Sequence, residues 1–297
     1  MRIGYPCINR GIGCRSGATF RLASYSEERL MQTVQNNLNC LLRILKFNGE
    51  KRILFFRITS DLVPFASHPV CRFPWQRQFA EDFERIGEFV RNHDIRISMH
   101  PDQFTLINTP DEAILERSCR ELAYHADILD CMGLPSTAKV QVHIGGVYHD
   151  REKSMERFVE RYLKLEEPIK SRLVIENDDR LYTLSDCLDI HARTGAPVLL
   201  DIFHHRVKSS GESTGEAVRK AGATWTGADG PLMVDYSSQQ PGKRAGVHAE
   251  SIDLQDFSDF LEISSPCNMD IMLEIKDKEK SALAAIEVAA SDPRFSG

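Results

Sequence analysis

Lys139-Val140-Gln141-Val142-His143, Leu173-Val174-Ile175-Glu176 and Val198-Leu199-Leu200-Asp201 decide how this chain folds. Each run is short and apolar, is bounded by polar or Gly/Pro residues, and suits a parallel strand covered by helices. Five further runs share the pattern: Arg2–Tyr5, Ile53–Ile58, Arg96–His100, Leu232–Tyr236 and Asp270–Ile275. Between them lie longer segments of helical spacing. Leu30, Val34, Leu38, Leu41, Leu42 and Leu45 follow one face, and Ile114, Leu115, Leu122, Ala126 and Leu129 follow another. Ser26 ahead of Glu27 and Glu28 reads as a helix N-cap. Strict alternation of this kind predicts a parallel sheet. Eight such units in 297 residues fit an α/β fold of the (β/α)8 TIM-barrel type, a single domain over 1–297. A doubly wound open sheet is the alternative, but Gly11-Ile12-Gly13 sits too far from a helix start to cradle a phosphate there.

Composition narrows the classes. With 42% hydrophobic and 27% charged residues the chain can bury a sizeable core. No window reaches the ~18 uninterrupted apolar residues of a membrane helix. Met1-Arg2-Ile3-Gly4-Tyr5 does not begin an export signal, so the expected location is cytoplasmic. The eight cysteines contain no Cys-x-x-Cys pair and read as reduced thiols.

What ends the runs points to chemistry. The third ends in His100, the fourth in His143, the fifth in Glu176 and the sixth in Asp201, while the seventh carries Asp235 and the eighth Glu274. A lone residue of this kind caps a helix or is satisfied locally. Six in series would crowd buried carboxylates that repel unless protonated or bridged by cations. In a barrel these ends share the face that carries active sites. Imidazole mixed with carboxylate suits zinc, manganese or iron over all-oxygen magnesium or calcium shells. His68, His204 and His248 lie in loops after the second, sixth and seventh runs, and His205 could orient its neighbour. His93, His125, His149 and His191 read as surface residues. Clustered metals suit phosphodiester hydrolysis, and also sugar isomerisation, so the ligands alone leave both open.

Charge placement speaks to the partner. The formal net charge is -6, yet residues 1–26, 62–80, 202–211 and 236–249 carry only basic residues, among them Arg15, Lys243 and Arg244. A basic rim around an acidic body is the footprint of a polyanion binder. Tyr5, Phe65, Phe73, Trp75 and Phe104 lie in or beside these loops, and Gln103-Phe104 follows His100-Pro101 where an amide and a ring could enter a base stack.

Taken together, Gly4-Tyr5-Pro6-Cys7-Ile8-Asn9, Phe65-Ala66-Ser67-His68-Pro69, Ser98-Met99-His100-Pro101-Asp102-Gln103-Phe104, His143-Ile144-Gly145-Gly146, Glu176-Asn177-Asp178-Asp179-Arg180-Leu181, Asp201-Ile202-Phe203-His204-His205 and Glu274-Ile275-Lys276-Asp277-Lys278-Glu279 resemble, in order, the UV damage endonucleases, relatives of the endonuclease IV-type apurinic nucleases. The resemblance implies an enzyme that nicks double-stranded DNA 5′ to cyclobutane pyrimidine dimers, (6-4) photoproducts and abasic sites, leaving a 3′-hydroxyl; a monomer would suit such a DNA-clamping face. It implies two or three divalent ions, manganese foremost, with zinc, magnesium or cobalt as alternatives. His100, His143 and Glu176 would hold one ion. Glu176 would bridge to a second on Asp201, Asp235 and Glu274, and His204 with His248 would hold a third. Glu176, Glu274 and His68 carry the catalytic expectation. Gln103 and Phe104 would probe the duplex, with Tyr5 and Asn9 beside the lesion pocket. Two departures from the family pattern stand out: Met233-Val234-Asp235 replaces a Lys-x-His, so a carboxylated lysine has no place there, and Phe104 replaces a Tyr.

Overall fold

A computed structural model describes residues 1–296; Gly297, the last residue of the expected domain, lies outside them. Eight parallel strands close into a barrel in sequence order: β1 (Ile3–Pro6), β2 (Phe55–Ile58), β3 (Arg96–Met99), β4 (Lys139–His143), β5 (Leu173–Glu176), β6 (Val198–Asp201), β7 (Leu232–Tyr236) and β8 (Met269–Leu273). β1 closes the ring by pairing Ile3 with Ile271 and Gly4 with Met272 on β8. Each strand is followed by a helix of the outer layer, from Glu27–Glu50 after β1 to Glu279–Ala289 after β8. Four strands match the sequence reading residue for residue, and the rest differ by one or two residues at their ends. His100 and Glu274 thereby lie just past β3 and β8, at the mouth. Ser26 caps its helix by accepting from the Arg29 N–H. No described helix is long and apolar enough to cross a membrane.

Period-two alternation sorts each strand into a helix-facing and a lumen-facing set. Three lumen levels result. At the floor, the buried residues Arg96, Lys139 and Asp270 form an ionic layer, with Arg96 Nη1 3.0 Å from Asp270 Oδ2 and Lys139 Nζ 2.7 Å from Asp229 Oδ1. Phe55, Val174, Leu199, Met233 and Met272, all fully buried, pack as an apolar plug in the middle. Two residues further along each strand come Arg57, Glu176, Asp201, Asp235 and Glu274, at the top. Gly4 permits this packing, because a Cβ there would fall 1.7 Å from the Phe55 carbonyl oxygen.

Two sequence expectations are corrected. Cys14, in the loop after β1, is disulfide-bonded to Cys40 on the helix 27–50, leaving six free cysteines; the fold brings together thiols 26 residues apart, a separation that carries no motif. His125 is not a surface residue but fully buried: Nδ1 donates to the Glu121 carbonyl and Nε2 lies 3.0 Å from Ser60 Oγ, which donates to the His100 carbonyl. Burial holds this imidazole down at about 4, hence neutral.

Candidate active site

The strand ends converge as their residue types required. Three groups of potential ligand atoms each lie within 4.8 Å: His100–His143–Glu176, Glu176–Asp201–His204 and Asp201–Asp235–Glu274. Glu176 belongs to two of them and is 1% exposed. His100 Nε2 stands 3.5 Å and His143 Nε2 3.9 Å from the same Glu176 oxygen. Those separations are long for a hydrogen bond but match the edge between two ligands on one ion with bonds of about 2.1 Å. The residues present therefore fit divalent ions.

Local structure aims them. Asp201 ends β6 and caps the short helix Ile202–Val207, accepting from His204 N–H at 2.7 Å. Asn177 donates to the Asp201 carbonyl and accepts from the Asp201 N–H, while its own carbonyl accepts from His204 Nδ1 at 3.0 Å. The ring of His204 is thus oriented from behind. His248 is fixed similarly, Nδ1 donating to the Glu274 carbonyl at 2.7 Å. A cavity of about 440 Å³ opens above, lined by Arg57, His100, His248, Glu274 and Lys278.

The electrostatics fit a cation site. Burial pulls His100 down to about 4, the neutral form a metal needs, with Glu176 opposing more weakly. Burial, with Glu176 and Glu274, pushes Asp201 up to about 6 against the pull of His204. Burial works against the His204 cation, yet Asp201 and Glu176 hold it up at about 9. Burial also opposes ionisation of Glu274, but Arg57, then His248 and His100, keep its carboxyl well below the usual range. The top of the barrel holds more negative charge than it can keep without positive partners.

One such partner was absent from the sequence reading. Arg57, on β2 and 3% exposed, donates from Nη2 to both Asp235 oxygens at 2.7 Å and from Nη1 to Glu274 Oε1. Gln141 was also missed; its Nε2 bonds Glu176 Oε2 at 2.7 Å and Asp235 Oδ2 at 2.8 Å. Both occupy the lumen-facing positions that carry ligands or the plug on neighbouring strands, which is the signal that would have found them.

Other expected residues fall elsewhere. His68 is exposed and joins none of the groups; Ser67 bonds Glu121 and Arg120 on the helix 112–131, which carries His68 over that helix, where Nδ1 accepts from Val70 N–H at 3.0 Å. Tyr5 is fully buried, because it shares the helix-facing side of its strand with its register partner Phe56; its hydroxyl donates to Asn48 Oδ1 at 2.7 Å. Asn9, 2% exposed, donates to that hydroxyl and accepts from Gly11 and Ile12 N–H, so the two side chains tie the loop after β1 together. His248 stands 6.2 Å ring to ring from His204 but enters no group, and His204 sides with Glu176 and Asp201 instead. His205 is buried facing the Glu212 carbonyl, away from the centre. Of the loop aromatics Trp75 is buried and Phe65 and Phe73 half-buried, whereas Phe104 is 71% exposed beside exposed Gln103.

Arg15, Lys243 and Arg244 are exposed on loops of the site face. Replacing all three by Ala is expected to flatten the log-affinity against log-salt slope for duplex DNA by about three units, one per lost phosphate contact. A fluorescence-anisotropy salt titration reads this, and an unchanged slope removes the rim from the interface.

The family model described as UV-endonuclease UvdE matches residues 1–292. A UV DNA damage endonuclease of Clostridium perfringens is 38% identical over 96% of this chain and 70% of its own length. One of Bacillus thuringiensis is 32% identical over 98% and 95%. The crystal structure of SacUVDE superposes with a TM-score of 0.95 at 42% identity, covering 99% of this chain and 100% of that one. Endonuclease IV of Thermus thermophilus, at 19% identity and a TM-score of 0.55, shares the fold. Whole-length agreement in sequence and structure places the chain in the UV-endonuclease UvdE family.

Proposed function

We propose that this chain is a divalent-metal-dependent endonuclease that cuts duplex DNA immediately 5′ to cyclobutane pyrimidine dimers and (6-4) photoproducts, and also at abasic sites, leaving a 3′-hydroxyl. The observation that carries the reading is the row of contiguous ligand groups at the barrel mouth, beside the exposed Gln103–Phe104 pair. Bound divalent ions, manganese foremost, would supply a water nucleophile at neutral pH and neutralise charge on the phosphate and leaving oxygen. His100, His143 and Glu176 would hold one ion, and Glu176, Asp201 and His204 another. Asn177 and Gln141 keep those side chains in place. Arg57 holds Glu274 ionised at the cavity wall, and Arg15, Lys243 and Arg244 would grip flanking phosphates. Phe104 needs only its ring to wedge into the stack, so the missing Tyr hydroxyl costs little.

The direct test incubates the chain and Mn2+ with a duplex carrying a single pyrimidine dimer. A nick 5′ to the dimer, abolished by EDTA, is expected; intact DNA with folded, metal-loaded protein would overturn the proposal. Gln103→Ala with Phe104→Ala is expected to weaken binding to that duplex about 10- to 100-fold, since stacking on one aromatic is worth ~1–3 kcal/mol. Unchanged affinity for the lesion duplex, read by anisotropy, would show that the pair does not probe DNA.

A further inference from the structure

The third ligand group differs from the other two. Asp235 gives both oxygens to Arg57 at 2.7 Å, and Oδ2 also accepts from Gln141 Nε2 at 2.8 Å. Glu274 Oε1 is bonded to the other terminal nitrogen of the same guanidinium. The planar fork thus spans two of the three carboxylates of the group, Asp201–Asp235–Glu274. Arg57 cannot swing away without burying an unpaired charge, since its side chain is 3% exposed, above the apolar plug.

We propose that Arg57 is a built-in cation that occupies the third group, so that this chain holds two divalent ions, with Asp235 serving as the anchor of Arg57 and not as a metal ligand. The proposal rests on the metal-dependent reading above and narrows its ion count. Charge balance supports it. Glu176, Asp201, Asp235 and Glu274 carry four negative charges, and two divalent ions with one guanidinium carry five positive ones. Lys278, which lines the same cavity, adds a further positive charge, so two ions already more than balance the carboxylates. A third divalent ion beside Arg57 would add two more uncompensated positive charges to a buried site, at a desolvation cost of several kcal/mol per ion. An Asp at position 235 accepts a bidentate guanidinium, which an imidazole there could not.

Metal-stripped protein reloaded with Mn2+, desalted and analysed by plasma mass spectrometry without DNA, is expected to retain two ions per chain. Arg57→Met frees an oxygen on both Asp235 and Glu274, and its count should rise to three. Asp235→Asn should leave the count at two. Three ions on the parent chain with one on Asp235, by anomalous diffraction at the manganese edge, would overturn the assignment. So would a folded Arg57→Met variant that still holds two, or loss of an ion from Asp235→Asn. If Arg57→Met does not fold, the parent and Asp235→Asn counts still decide. Because no count involves DNA, a failure of nicking with two ions bound would strike the endonuclease reading and leave this one standing.

Discussion

Glu176→Ala is expected to lower the nicking rate about 10³-fold, the largest functional effect of any single substitution here. Glu176 is the one side chain shared by the His100–His143 group and the Asp201–His204 group, so its removal loosens both at once. A correctly held ion contributes several kcal/mol of charge stabilisation, and each ~1.4 kcal/mol is a factor of ten in rate. The fold should survive. Burial works against the Glu176 charge while His143, His100 and His204 favour it, Gln141 is its hydrogen-bond partner, and residues at this end of a barrel serve chemistry more than stability. Single-turnover nicking beside a thermal melt of the metal-free protein checks both halves. A loss of under tenfold would remove Glu176 from the centre, and a collapsed melt would make it structural.

Asp270→Ala is expected to produce the largest loss of stability, about 3–5 kcal/mol, because it strips the partner from a buried ion pair. Asp270 sits at the barrel floor, fully buried, and accepts from the Arg2 N–H at 2.7 Å, from Arg2 Nη1 at 3.1 Å and from Arg96 Nη1 at 3.0 Å. Arg96 would keep its carbonyl partners, Pro231 among them at 2.6 Å, but lose the charge that balances it. For a chain of this size the loss corresponds to a drop in Tm of roughly 10 °C. Asp270→Asn, which retains an acceptor without the charge, should lose less. Catalytic parameters of the folded fraction should not change, since the plug separates this layer from the mouth. Equal melting temperatures for the parent and Asp270→Ala would show that Arg96 is satisfied by the carbonyls alone.

Much of the architecture was legible because the two periodicities that read it are physical. Apolar alternation marks strands whose faces are set by a repeat of two, and the residues one step above the plug on β5 to β8 are the carboxylates at the mouth. Arg57 obeys the same rule on β2, opposite Ser98 on β3 in the strand register, yet a cation among anticipated ligands gave no ligand signal. Aligning the strands by their lumen-facing residues would have exposed it. The side on which Tyr5 falls was not read from its residue type, because its register with Phe56 is what turns it toward the helices. His68 and the Cys14–Cys40 bond depend on where loops and helices meet in space, through contacts such as Ser67 with Glu121, and no local spacing encodes that.

The closed plug of Phe55, Val174, Leu199, Met233 and Met272 leaves the centre with a single doorway. Ions and water reach the centre through it, because buried apolar side chains fill the lumen below. A duplex seated on the rim would act as a stopper. A divalent ion held inside would be trapped for as long as the DNA stays, and a chelator added late would strip the idle protein first. Order of addition would then govern how much activity survives.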